Sequence, residues 1–551
     1  MNIQLRLLSS MTKVFLDEAP REDLPRDGMT LFGNECFSFQ AAWSNLDGEE
    51  RSFARLRVDS PLGEAVRVRR VCHVPVCYAL RPGADDNYLR RSPGLFPDLL
   101  AEPEGDWIVW PGMWESAWID VDAAAGIPAG RYALAVVLED GQGSQLAREA
   151  LTLEVLPAQL PPQTLIHTKW FHCDCLCHYY GVEMFGDAFY EIAERFIRIA
   201  VKRGINMILT PIHTPPLDTA VGGERLTAQL VDVFVENGRY RFGFDQLDRW
   251  VAMCQRAGVQ YYEMAHLFTQ WGAEHAPKIM AVVDGEPKRI FGWETDAAGP
   301  EYRAFLRAYL PALTGHLRAL GIAERCWFLI SDEPQAAHME SYRAAKEGVA
   351  ELLDGFPIID ALSDIAFYRT GLVTKPVPAS NHIKPFLEAD IPGLWTYYCC
   401  GQYKDVSNTF LAMPGARTRI LGVQLYKFNI EGFLQWGYNF YNTLHSVRQI
   451  DPYRYTDGDG FVPAGDTFQV YPGKGGVPEE SIRMMLAAEA VQDMRALQYL
   501  EALAGREAAL RLLEDGLDAP IEFDRYPKDS AWLLDLRRRV NAGIIRCLRA
   551  Q

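Results

Sequence analysis

The sequence predicts an α/β protein: a (β/α)8 TIM-like barrel, preceded by an N-terminal β-sandwich and followed by an α-helical tail. Three patterns predict it. Residues 28 to 158 carry short alternating strands separated by turn residues. From residue 165 strand and helix patterns alternate, and from 478 onward the apolar period is helical. The expected domains are a sandwich over 1–158, a barrel over 163–477 and C-terminal helices over 478–551.

In the first domain, Val66 and Val68 alternate with Arg67 and Arg69, and Ala117 to Asp122 and Arg131 to Leu138 continue the period of two. Gly126, Pro128 and Gly130 mark the turn between the latter two. Leu156 to Pro162 is proline-rich and reads as a stiff linker. Strands are then expected at Leu165–His172, Asn206–Thr210, Val259–Met264, Cys326–Ser331, Phe356–Ala361, Leu394–Tyr398 and Ile420–Tyr426. Helices are expected at Asp187–Arg203, Phe244–Gly258, Glu301–Leu320 and Gln335–Leu353. Asn237-Gly238 reads as a hairpin turn inside Leu226–Phe244. A long helix over Pro478–Leu500 would place Glu479 and Glu480 in its first turn.

Composition bounds the function. The net charge of −17 over 551 residues lacks the basic footprint that nucleic acid or an anionic membrane surface requires. Aromatics at 12% beside this acidic excess suit a neutral polar ligand such as a sugar. Eleven cysteines without framework spacing point to a reducing compartment. With no apolar stretch of signal-peptide or membrane-span length, the expectation is a cytoplasmic protein with no membrane partner. Homo-oligomerisation is left open.

The stretch Cys326 to Pro334 organises the site. An apolar run ends on adjacent carboxylates, Asp332 and Glu333, at what would be the carboxyl end of the fourth barrel strand, on the face where barrel sites gather. Neighbours in a regular strand point to opposite faces, so only a strand end or bulge brings both into one pocket. From local sequence the pair is either solvated or cap-forming, or held in a cleft for acid/base work. Other strand ends supply polar and aromatic groups suited to a sugar ring: His172, Asp174, His213, Glu263, His266, Asn381, Trp395, Tyr397, Trp436 and Tyr438. His172 to His178 carries three alternate cysteines, but no CxxC pair, so no metal and no cofactor are expected. Neither a nucleophile elbow nor a P-loop is found.

Ile330-Ser331-Asp332-Glu333-Pro334, with Glu431 to Tyr438, Phe468 to Gly473 and the helix holding Gln492-Asp493, resembles glycoside hydrolase family 123 and its relatives in the domain of unknown function 4091 family. The resemblance implies a retaining β-N-acetylgalactosaminidase acting by substrate assistance on a carbohydrate substrate. The substrate's acetamido oxygen would be the nucleophile, Glu333 the general acid and then base, and Asp332 the group orienting the acetamido N–H. Two other readings remain. One is a glycosidase on a sugar without an acetamido group, with Glu263, Asp360 or Glu431 as nucleophile; the other is a non-catalytic glycan-binding barrel.

Overall fold

The computed structural model describes residues 3–21, 23–47 and 50–550. Two sheets form the N-terminal part. A seven-stranded antiparallel sheet runs in the order Ile3–Ser9, Cys36–Asn45, Glu115–Asp122, Val66–Val76, Gly94–Ala101, Pro478–Ser481, Val470–Pro472. A five-stranded sheet runs Met29–Phe32, Gln145–Leu156, Gly130–Glu139, Ser52–Asp59, Trp107–Val109. The alternate residues Leu5, Leu7, Phe39, Trp43, Ile119 and Val121 of the first meet Leu134, Val136, Leu138, Leu151 and Leu153 of the second in one apolar cluster. Trp43 and Trp107 close it edge to face at 4.9 Å.

The other face of the seven-stranded sheet is buried as well. Its Arg69 is paired with Asp120 and with Glu480, the latter at 2.5 Å, and Arg203 reaches Glu480 from the opposite side. Two strands of this sheet, Val470–Pro472 and Pro478–Ser481, come from far along the chain, so the boundary expected at 477/478 falls within a β-hairpin. The helix expected from Pro478 therefore begins later, at Ile482, and runs to Ala504. Ser481 caps it, its Oγ accepting from the Met484 N–H at 3.1 Å. Glu480 is thus a strand residue in an ion-pair cluster rather than a first-turn anion. Three cations, Arg203, Arg69 and Arg67, offset its burial and hold its pKa at about 2.

Eight short parallel strands form the second part, and their pairings close a ring. The first (Ile166–Lys169) pairs with the second (Met207–Thr210), the second with the third (Tyr261–Met264), and the third with the fourth (Cys326–Trp327). A parallel bridge from Phe328 to Ile358 leads to the fifth (Ile359–Ala361), which pairs with the sixth (Lys375–Val377). A bridge from Ala379 to Tyr397 leads to the seventh (Trp395–Tyr397). The eighth (Gly432–Gln435) pairs with both the seventh and the first. Met207, Leu209, Trp327, Ile359, Val377, Trp395 and Leu434 share one apolar cluster.

Several elements differ from the sequence expectation. Ile420–Tyr426 is helical, in Gly415–Arg419 and Leu421–Lys427, and the eighth strand comes after it. Leu421 to Tyr426 is buried all round, packed on helix 482–504, so it lacks the polar face that would have revealed a helical period. The stretch 335–353 breaks into a 3-10 turn, a helix at Met339–Glu347 and a second 3-10 turn. The hairpin turn falls at Asn237-Gly238, both with positive φ, between Asp232–Glu236 and Arg239–Gly243. Cys173, Cys175 and Cys177 lie buried in a helix, Cys173–Tyr180, not on a strand.

Candidate active site

At the carboxyl ends of the ring strands lies a cavity of about 200 Å³, whose lining includes Trp170, His172, Asp332, Glu333, Tyr397 and Trp436. Its chemistry starts where the chain leaves the fourth strand. The N–H groups of Ile330 and Ser331 both donate to Asp360 Oδ1, at 2.8 and 3.1 Å, and Ser331 Oγ donates to the Thr269 carbonyl at 2.8 Å. The Trp271 N–H donates to the Asp332 carbonyl at 2.8 Å, and the Glu333 N–H to the Ala361 carbonyl at 2.9 Å. Between these anchors Glu333 adopts φ +46°, the left-handed conformation, which costs a residue with a Cβ about 1 kcal/mol. The period of two is broken there, and the two adjacent carboxylates line one cavity.

Tyr397 donates its hydroxyl to Glu333 Oε1 at 2.5 Å, a charge-assisted bond when the carboxyl is ionised. Asp332 is held well above the usual carboxylate range, first by burial and then by the charges of Glu333, Asp360 and Glu263. The site thus disfavours two full negative charges on the pair.

Hydrogen bonds hold the aromatic walls. Trp170 Nε1 donates to Glu263 at 2.8 Å, and Trp436 Nε1 donates to Asp466 at 2.8 Å. His172 is neutral, pushed down to about 3 by burial and by Arg225. Its Nδ1 faces the Arg225 guanidinium at 3.2 Å and so accepts, which leaves Nε2–H to donate to the Trp436 carbonyl at 3.0 Å. Arg225 is oriented in turn by a two-pronged contact with Asp174, at 2.7 and 2.8 Å.

Of the residues expected from sequence, His172, Tyr397 and Trp436 line the cavity with Asp332 and Glu333. The others lie elsewhere, for identifiable reasons. Asp174 is spent on Arg225. His213 is buried against the His266 carbonyl at 2.7 Å, and His266 packs edge-on to Trp170 at 5.1 Å. Glu263 sits beneath Trp170 inside the ring, bonded also to Thr168. Trp395 is buried against Trp327 at 5.0 Å. Tyr438 points away from the ring, its hydroxyl donating to the Phe196 carbonyl at 2.7 Å, and Asn381 is exposed and bonded to Gln402.

Sequence reasoning missed Asp218, Gln270, Trp271, Cys399, Cys400 and Phe461, which also line the cavity. They lie on loops past the strand ends, where no periodic signal exists. Among the described residues no group of three His, Cys, Asp or Glu side chains is arranged to hold a metal ion. Among the same residues, no helix is long and apolar enough to cross a membrane.

Comparison with known proteins places this geometry. The family model of the glycoside hydrolase 123 catalytic domain matches residues 170–500. A structure of a family 123 glycoside hydrolase from Clostridium perfringens, described for glycolipid glycan hydrolysis, aligns over 100% of this chain and 99% of its own at 13% identity, with a TM-score of 0.75. An endo-β-1,4-mannanase from Thermotoga petrophila aligns over 60% of this chain and 77% of its own, at 12% identity and a TM-score of 0.32. That alignment is too loose to inform the site. Among curated proteins the sequence finds no match.

Proposed function

Because the chain belongs to the glycoside hydrolase 123 family, we propose that it is a retaining β-N-acetylhexosaminidase of the galactosaminide type, working by substrate assistance with Asp332 and Glu333. In this reading the ring of eight strands is a (β/α)8 barrel and the two N-terminal sheets a β-sandwich. The acetamido oxygen of the bound sugar attacks C1 as Glu333 protonates the departing glycosidic oxygen. The C1–O bond breaks and an oxazolinium-type ring closes on the substrate. The pair shares one proton, which lies on Glu333 in the reacting complex, so Asp332 is ionised there, accepts the acetamido N–H and offsets the positive charge. Glu333, now ionised, removes a proton from water as the water oxygen attacks C1, which reopens the ring with net retention.

The observation that carries this reading is the left-handed turn at Glu333, which lets neighbouring carboxylates line the same cavity. Adjacent residues cannot straddle a sugar ring as a conventional acid and nucleophile do, but they can reach its leaving-group side and its acetamido arm together. The placement of the three carboxylates expected as alternative nucleophiles weighs the same way. Glu263 and Asp360 are buried and bonded within the ring wall, and Glu431 is exposed beside Lys375; none lines the cavity.

The test is Glu333→Gln on aryl N-acetyl-β-D-galactosaminides, with a thiazoline mimic of the cyclised intermediate as inhibitor. The expected result is a loss of about 10²- to 10⁴-fold in kcat/KM and competitive inhibition of the wild type by the thiazoline. Undiminished turnover by the variant sinks the assignment. Trapping of a carboxylate by a 2-fluoro glycoside favours a conventional nucleophile, and sugar binding without turnover favours a binding protein.

A further inference from the structure

The cavity holds a buried hydrogen-bond donor and an acceptor that no protein group satisfies. Gln270, only 7% exposed, lies on the loop after the third strand, between the Thr269 N–H bonded to the His275 carbonyl and the Trp271 N–H bonded to Asp332. Its Oε1 accepts the Asp218 N–H at 2.7 Å, which fixes the orientation of the amide, because an N–H needs an acceptor. The Nε2 is then the free end, buried and without a partner. Asp218, on the loop after the second strand, has φ +46° and is pinned through its carbonyl by Ser446 Oγ at 2.9 Å. Its carboxyl receives the His445 N–H, but Oδ2 is buried and has no partner.

Buried polar atoms are nearly always paired, since an unmet donor or acceptor destabilises the fold. Here one of each belongs to two residues joined by the bond from the Asp218 backbone N–H to Gln270 Oε1, and both line the cavity that contains Asp332 and Glu333. A hydroxyl is the group that donates to a carboxylate while accepting from an amide N–H. We infer that Asp218 and Gln270 form a clamp for one ring hydroxyl of the bound sugar, and that this clamp sets which sugar the cavity accepts. The inference rests on the hexosaminidase reading for its choice of sugar. On that reading the Asp332–Glu333 wall takes C1 and C2, so the clamped hydroxyl is at C3, C4 or C6. Trp271, 44% exposed and contiguous with Gln270, marks the rim of the cavity.

The experiment measures binding, so that it does not depend on catalysis. N-acetylgalactosamine and its 3-, 4- and 6-deoxy analogues are titrated calorimetrically into wild type, Gln270→Glu and Asp218→Gly. Glutamate keeps the acceptor for the Asp218 N–H but loses the donor, and glycine suits the positive φ while removing the carboxylate. Thermal midpoints confirm that each variant is folded.

One deoxy analogue is expected to bind wild type about 10- to 100-fold more weakly than the parent sugar, and that penalty disappears in both variants. Deoxy penalties that are equal in wild type and variants overturn the clamp, as does a wild type that binds none of the sugars. The clamp and the catalytic reading fail separately. Coupling without hydrolysis of aryl hexosaminides by wild type upholds the clamp and removes the hydrolase assignment; hydrolysis without coupling does the reverse.

Discussion

Glu263 makes the pH dependence of stability a measurable property of one residue. It is fully buried inside the ring, its carboxylate accepting from Thr168 Oγ1 and Trp170 Nε1. Those two bonds favour the charged form, but burial outweighs them and raises the pKa from the ordinary 4.5 to about 7. The folded state therefore holds a proton that the unfolded chain releases. The stabilisation is complete below pH 4.5 and is lost as the pH rises through 7. At about 1.4 kcal/mol for each pH unit, the full swing is about 3 kcal/mol.

Glu263→Gln removes this titration and keeps both contacts, since Gln can accept from the indole and donate to the threonine hydroxyl. The variant should thus gain on wild type by about 3 kcal/mol between pH 4 and pH 8. Asp360, Asp466 and Glu489, each also raised to about 7 by burial, are present in both proteins and cancel in the difference. Urea titrations across that range measure the difference. Infrared spectra should show a protonated carboxyl band that the variant lacks and that fades as the pH passes 7. A stability difference that stays flat with pH refutes the reasoning.

Two further outcomes follow from single contacts. Tyr397→Phe deletes the hydroxyl that bonds Glu333 at 2.5 Å; kcat/KM on an aryl hexosaminide should fall about 10- to 100-fold, with the thermal midpoint close to wild type. Asp98→Ala strands Arg483, whose guanidinium is fully buried and bonds both Asp98 oxygens at 2.8 and 2.9 Å, and also frees the Tyr471 hydroxyl. The expected cost is about 3 to 5 kcal/mol, read by denaturant titration.

The legible parts of this sequence were those whose two faces differ in polarity. Alternation betrayed the N-terminal strands because one face meets an apolar layer, and Asn237-Gly238 betrayed its turn because few residues accept positive φ. Leu421–Lys427 misled because it is buried on every side, and the sixth strand, Lys375–Val377, is too short to carry a pattern. Asp332 and Glu333 could be found because a hydrophobic run stops on them. Asp218 and Gln270 could not, since their meaning lies in a bond between two loops 52 residues apart. His213, His266 and Glu263 looked like ligand-binding groups from their strand-end positions. All three are buried away from the cavity lining: His213 is bonded to the His266 carbonyl, Glu263 to Trp170, and the His266 ring packs edge-on to Trp170.

The N-terminal sheets belong to the machinery that shapes the site. Trp436 and Phe461 form cavity wall, and the long excursion after the eighth strand that carries them is fastened to the N-terminal part at several points. Thr456 Oγ1 donates to the Pro75 carbonyl at 2.7 Å, the Tyr78 N–H donates to Asp457 at 2.7 Å, and the Ala464 N–H donates to the Tyr78 carbonyl at 2.9 Å. The excursion then becomes two strands of the seven-stranded sheet itself, and Asp98 on a neighbouring strand clamps Arg483 just beyond them. Asp466, which holds the Trp436 indole, lies between these anchors. A loop of this length left to itself would sample many conformations, and ordering it on ligand binding would weaken affinity. Pinned at both ends by a rigid sheet, it holds the Trp436 wall in the same cavity as the Asp332–Glu333 turn; on the proposed reading the binding energy of a sugar then goes to recognition of the ring and not to assembly of the pocket.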